Sequence, residues 1–156
     1  MNLPGSSRIW IYAAERKLLP AEVQIAQQTA QAFVQQWGSH GQPLNAGAQV
    51  LHDRFLVLGV DQSSAGASGC SIDSSVHFVQ RLGAELGVDF FNRMVFHYRD
   101  TDGEVKSLHR MDFAKAYQEG HLTGTTKVFD PLVDTVAALG TDFEKPLSES
   151  WHARMV

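Results

Sequence analysis

Hydrophobic positions change their period several times along the 156 residues, and each change marks an expected element. Residues 8–13, Arg-Ile-Trp-Ile-Tyr-Ala, follow a Pro-Gly-Ser-Ser lead and are dense in β-branched and aromatic side chains, which predicts a central strand. From Pro20 onward Val23, Ala26, Ala30, Phe33, Val34 and Trp37 recur at spacings of three and four until Gly38. That is an amphipathic helix with a glutamine-rich outer face. The Gly- and Pro-bearing stretch 38–45 reads as a loop. Two extended pieces follow, 46–51 and 55–60, around His52-Asp53-Arg54. A hairpin and one long bent strand both fit them. The near-continuous apolar run Phe55-Leu-Val-Leu-Gly-Val60 is the pattern of a strand covered on both faces.

After Asp61 a loop of small residues leads into a second helix, with Ile72, Val76, Val79, Leu82 and Leu86 on one face and Gly87 as its stop. Residues 94–99 and 105–109 form a hairpin around the Asp102-Gly103 turn signal. A short helix over 112–118, a short strand over 127–130 and a helix starting at Asp130-Pro131 complete the regular elements, and the last sixteen residues read as irregular. This order predicts an α+β fold, a ferredoxin-like βαββαβ sandwich over residues 8–99 with a C-terminal β-hairpin and helix extension. A small three-layer α/β fold is the alternative if 46–60 is one strand. The length suits a single domain over 1–156, with a subdivision into a 1–100 core and a 101–156 extension as the variant.

Composition narrows the class. Apolar residues at 44% and charged residues at 19% are those of a folded globular chain, so disorder is excluded. A net charge of −4 supplies no basic footprint for nucleic acid. The uncharged stretch 23–52 is too rich in glutamine to span a bilayer, so no membrane partner is expected. The single cysteine forms no internal disulfide, and the apolar run 9–14 is too short for a signal peptide. The expected location is therefore cytoplasmic.

Candidate chemistry gathers at residues 66–78, Gly-Ala-Ser-Gly-Cys-Ser-Ile-Asp-Ser-Ser-Val-His-Phe. Glycines let the backbone come close to a ligand and a helix start leaves N–H groups unpaired, which suits an anion. The expected ligand site is Ser68, Gly69, Cys70, Ser71 and Asp73, with basic groups supplied from a distance by Arg8, Arg54 and His152. Cys70 beside a helix N-terminus is the candidate nucleophile, since that setting favours thiolate. His77 is its nearest histidine in sequence, but seven helical steps rise about 10 Å, so an Asp73–His77 pair on one stripe is the better geometric expectation. Small connecting residues and a packed cysteine are the structural alternatives. No Walker loop, dinucleotide glycine pattern, metal-ligand spacing or nucleophile elbow occurs, so an ABC-type ATPase is excluded and neither cofactor nor metal is expected.

Ser7-Arg-Ile-Trp-Ile-Tyr12, Asp53-Arg-Phe-Leu56, the 66–78 segment, Asp89-Phe-Phe91 with Arg93-Met94, and Ser150-Trp-His152 together resemble a family of short, uncharacterised bacterial proteins often labelled "ABC transporter ATPase". The resemblance runs nearly end to end and implies no activity, substrate or catalytic residue. Val-Lys-Ser-Leu108, Phe113, Gly120, Leu122-Thr123 and Thr126-Lys-Val-Phe129 are similar to small GYF-like interaction modules, which implies protein binding by the C-terminal third. The leading expectation is a binder of a small anionic ligand at 66–73. The alternatives are a thiol-dependent enzyme using Cys70, and an interaction module or homodimer.

Overall fold

A computed structural model describes all 156 residues as an α+β protein built on two main antiparallel sheets and a small two-stranded one, Gly38–Ser39 with Gln42–Pro43. In chain order its elements are β1 (Arg8–Ala13), α1 (Pro20–Gln35), β2 (Gly38–Ser39), β3 (Gln42–Pro43), β4 (Asn45–Leu51), β5 (Phe55–Asp61) and α2 (Gly69–Leu86), then β6 (Val95–Arg99), β7 (Val105–His109), α3 (Arg110–Gln118), β8 (Lys127–Phe129), α4 (Val136–Thr141) and β9 (Glu144–Pro146). Two 3-10 turns, Leu147–Glu149 and Trp151–Met155, end the chain. No helix is long and apolar enough to cross a membrane.

The first sheet has the order β1-β5-β4, so the continuous apolar run is the central strand and every residue from Phe55 to Val60 is buried. Its hairpin with β4 turns through His52 and Asp53, whose φ values of 52° and 55° are left-handed, a region these two residue types enter more readily than most. Period two sorts the strands into faces. Tyr12, Leu56, Leu58 and Val60 join Ala30, Phe33 and Val34 of α1 and Phe78, Val79 and Leu82 of α2 in one core. On the opposite face Phe55 packs with Phe129 and Phe143, with Ile11 and Ala13 against them, and this aromatic cluster joins the first sheet to the second.

The second sheet has the order β7-β6-β8-β9. Phe96, Tyr98 and Val128 pack there with Phe113 of α3, Leu122 and Leu147. Residues 95–99 therefore do not return to the first sheet, and the four-stranded βαββαβ arrangement is not formed. β1 is correspondingly an edge strand, paired only with β5 along its length and with Thr135 at a single bridge. Two further expectations change. Pro131 and Leu132 are not helical, because the helix starts later, at Val136, where the Thr135 side chain accepts from the Ala138 amide. The tail is regular where it matters: β9 completes the second sheet, and Ser150 caps the final turn.

Candidate functional site

α2 begins with a reciprocal serine cap. The Ser68 hydroxyl accepts from the Ser71 amide at 3.2 Å and the Ser71 hydroxyl accepts from the Ser68 amide at 2.6 Å. The cap uses two of the residues that the sequence suggested for a ligand, Ser68 and Ser71. Ser71 is buried, and its carbonyl accepts the Trp37 indole at 2.8 Å. Gly69, Cys70, Asp73 and His77 are exposed on the outward side of α2. Arg54 is elsewhere: 5% exposed at the start of β5, it donates to the Ser107 hydroxyl and, at 2.7 Å, to the Val105 carbonyl across the sheet junction. The expectation that it completes an anion site with the loop is corrected, because its Nη1 and Nη2 groups bond Ser107 and Val105 of β7. Its Nε is buried without a partner.

What the structure does bring together is a cleft of about 660 Å³ between the two sheets, lined by 22 residues of which 15 are hydrophobic. It runs along β1. One wall is Arg8, Trp10 and Tyr12 with Ile72 and Val76 of α2, and another is Phe129 with residues 131–134. Phe96, His97, Trp151 and His152 come from the second sheet and the tail, and Phe91 and Arg93 from the α2–β6 connection. Of the expected site residues, Arg8 and His152 belong to this cleft, and the 66–73 loop reaches it only through Ile72.

Aromatic packing fixes the walls. The Arg8 guanidinium lies over the Trp10 ring at 4.7 Å, and Trp10 meets the edge of Trp37 at 5.7 Å. Tyr12 packs edge-on to Phe91 at 5.5 Å, and its hydroxyl shares a hydrogen bond with Ser75 at 3.3 Å. Burial raises the Tyr12 pKa, with the Ser75 bond opposing, so the phenol is neutral.

The two imidazoles are each oriented by a serine. Ser107 Oγ accepts from Arg54, which can only donate, and stands 2.8 Å from His97 Nδ1. Ser150 Oγ accepts from the His152 amide and stands 2.6 Å from His152 Nδ1. Each ring is thus paired at Nδ1 with a serine hydroxyl, and neither Nε2 has a hydrogen-bond partner in the protein. Burial, with Arg54 and His152 adding to it, pushes the His97 pKa down to about 3. Burial pushes His152 down to about 4, Asp130 opposing and Lys145 assisting. His152 stacks on Trp151 at 3.8 Å and meets Phe96 edge-on at 5.2 Å.

Chemically, the cleft offers an apolar body, two neutral imidazoles and two cations, Arg8 and Arg93, that form no salt bridge. Asp134, which is exposed, is the one carboxylate in the lining. Sequence reasoning missed His97, Arg93 and Tyr12. For His97 a signal existed: it is a titratable residue in the middle of the otherwise apolar and aromatic run Val95-Phe-His-Tyr98. Fold and cleft define an α+β protein of two antiparallel sheets with a ligand-sized, mainly apolar cavity at their junction. No family model, curated protein or solved structure matches the chain.

Proposed function

We propose that the protein binds a small anionic ligand with an apolar body in the cleft between its sheets. The observation that carries this is the serine-paired His97 and His152, two buried imidazoles whose Nε2 atoms have no hydrogen-bond partner in the protein and which line an apolar cavity. With its proton on Nε2 each ring offers an unused donor, and in a low-dielectric cavity such donors favour a negative ligand group, because each hydrogen bond to an anion is stronger than a neutral one. The unpaired guanidinium groups of Arg8 and Arg93 add to that preference. The reading keeps the anion and the residues Arg8 and His152 and moves the ligand from the 66–73 loop to the cleft.

Thermal shift over a panel of aryl carboxylates, aliphatic carboxylates and phosphate esters tests it. A ligand at one hundred times its Kd stabilises the fold by about 2.7 kcal/mol, a rise of roughly 5–10 °C for a chain of this size. Arg8→Gln, a change at an exposed position, and His152→Asn are expected to reduce the rise. A panel with no active member, or active members indifferent to both substitutions, refutes the proposal.

A further inference from the structure

β1 is hydrogen-bonded to β5 on one side, and its other side faces the cleft. Ile9 N–H points to that outer side, donating to the Asp134 carbonyl at 2.9 Å, and the Val136 amide donates to the Ser7 carbonyl at 3.0 Å. Residues 134–136 therefore already act as an antiparallel neighbour for the first residues of β1. Because backbone groups alternate sides along a strand, Ile11 and Ala13 face the same way as Ile9. Continuing the pairing would bring Leu132 N–H to the Ile11 carbonyl. It does not continue: Leu132 N–H is held by the Asp130 carboxylate at 2.9 Å, and Asp130 N–H donates to the Phe143 carbonyl at 2.8 Å. The ladder stops. The Ile9 carbonyl, both backbone groups of Ile11 and the Ala13 amide are left on an unpaired edge spanning about 13 Å.

Such an edge is ordinarily a hazard that proteins cover or charge. Here it is recessed between apolar walls, with Phe91 at 39% and Leu132 at 73% exposure beside it. A row of alternating backbone donors and acceptors is matched by another backbone, and apolar pockets on either side take alternate side chains. Charge selects further, since Arg8 and Arg93 are unpaired.

We infer that the anionic ligand of the cleft is a short extended peptide, added to β1 as an extra strand, its carboxylate meeting the arginines. This rests on the cleft being the binding site and goes beyond it by naming the ligand's class. The carboxylate is a free C-terminus or an acidic side chain.

Degenerate pentapeptide mixtures are passed over the immobilised full-length protein in three arms: free C-terminus, amidated, and amidated without Asp or Glu. Retained peptides are then added to the 15N-labelled protein, and amide exchange at Ile11 and Ala13 is followed, with 3-phenylpropanoate as a non-peptide control. At least tenfold slower exchange at both amides is expected. So is at least tenfold weaker binding when the peptide's alternate amides are N-methylated, or when Ile11→Pro removes the outward N–H. Retention by the first arm alone identifies a C-terminus, and retention by the first two identifies an acidic side chain. Equal retention by all three overturns the charge assignment. If phenylpropanoate shifts the Trp10 and His152 signals but no peptide protects Ile11, the peptide inference falls and the cleft reading stands. If nothing moves those signals, both fall.

Discussion

Acidification reads out the neutral imidazoles directly. His97 and His152 are 2% and 1% exposed, and their pKa values are depressed from 6.5 to about 3 and about 4, burial being the first cause for both. In the unfolded chain both rings protonate near the ordinary value. Between that value and about pH 4, unfolding takes up two protons, so stability is fully present above the window and falls as pH falls through it. Each ring contributes about 2 kcal/mol of loss between pH 7 and pH 5, about 4 kcal/mol together. Against a typical total of roughly 5–15 kcal/mol this is a large share, and it lowers the melting point by about 8–16 °C. Carboxylates do not blur the window. Asp130, Glu144 and Asp100 are depressed from 3.8 or 4.5 and Glu22 to about 2, so their contributions are present above those ordinary values and lost only below them. His52, lowered chiefly by burial, acts in the same direction as the pair. Calorimetry and urea denaturation at pH 7, 6 and 5 test this, with His152→Asn expected to remove about half of the dependence. A melting point that stays flat from pH 7 to pH 5, or a slope unchanged by His152→Asn, refutes the buried neutral pair.

Two further outcomes follow from particular contacts. Asp130 accepts from the Trp151 indole at 2.9 Å, the Leu132 amide at 2.9 Å and the Lys145 ammonium at 3.0 Å, so Asp130→Ala leaves three donors unmatched. It is expected to cost about 3–5 kcal/mol in urea denaturation and to shift tryptophan emission to the red, whereas a loss below about 1 kcal/mol contradicts the tether. Cys70 is exposed, so a thiol reagent labels it fully without denaturant and Cys70→Ser changes stability by less than about 0.5 kcal/mol. Labelling that requires unfolding contradicts its outward placement.

Elements with strong local periodicity were legible in the sequence. The helix after Pro20, the helix stopped by Gly87 and the buried run 55–60 appear where their patterns place them, because burial on one face or both writes itself into spacing. Sheet membership was not legible. Val95–Arg99 has the same pattern whether it pairs with β1 or starts a second sheet, and the partners that decide it, Val105–His109 and Lys127–Phe129, lie later in the chain. The 130–136 segment misled because Asp-Pro imitates a helix start. There the Asp130 carboxylate instead closes a turn onto Leu132, and the helix waits for Thr135.

The site was half legible for a related reason. Small residues at 66–73 do mark a tight strand-to-helix passage, but capping already satisfies its serines, and the outward face of α2 carries Cys70, Asp73 and His77 away from the core side. Arg8 and His152, distant in sequence, both line the cleft because β1 is an edge and the Asp130–Trp151 bond ties the tail beside it. Asp130 has two roles at once. It holds Trp151, which positions the stacked His152, and it withholds Leu132 N–H from β1, which leaves the Ile11 carbonyl open. Burial alone would raise its pKa, but the bonds from Trp151, Leu132 and Lys145 outweigh that and keep it ionised. An ionised, fully engaged carboxylate is a stable wedge. The open edge and the Trp151 ring against which His152 stacks therefore share one residue's hydrogen bonds, which no local sequence pattern around position 130 encodes.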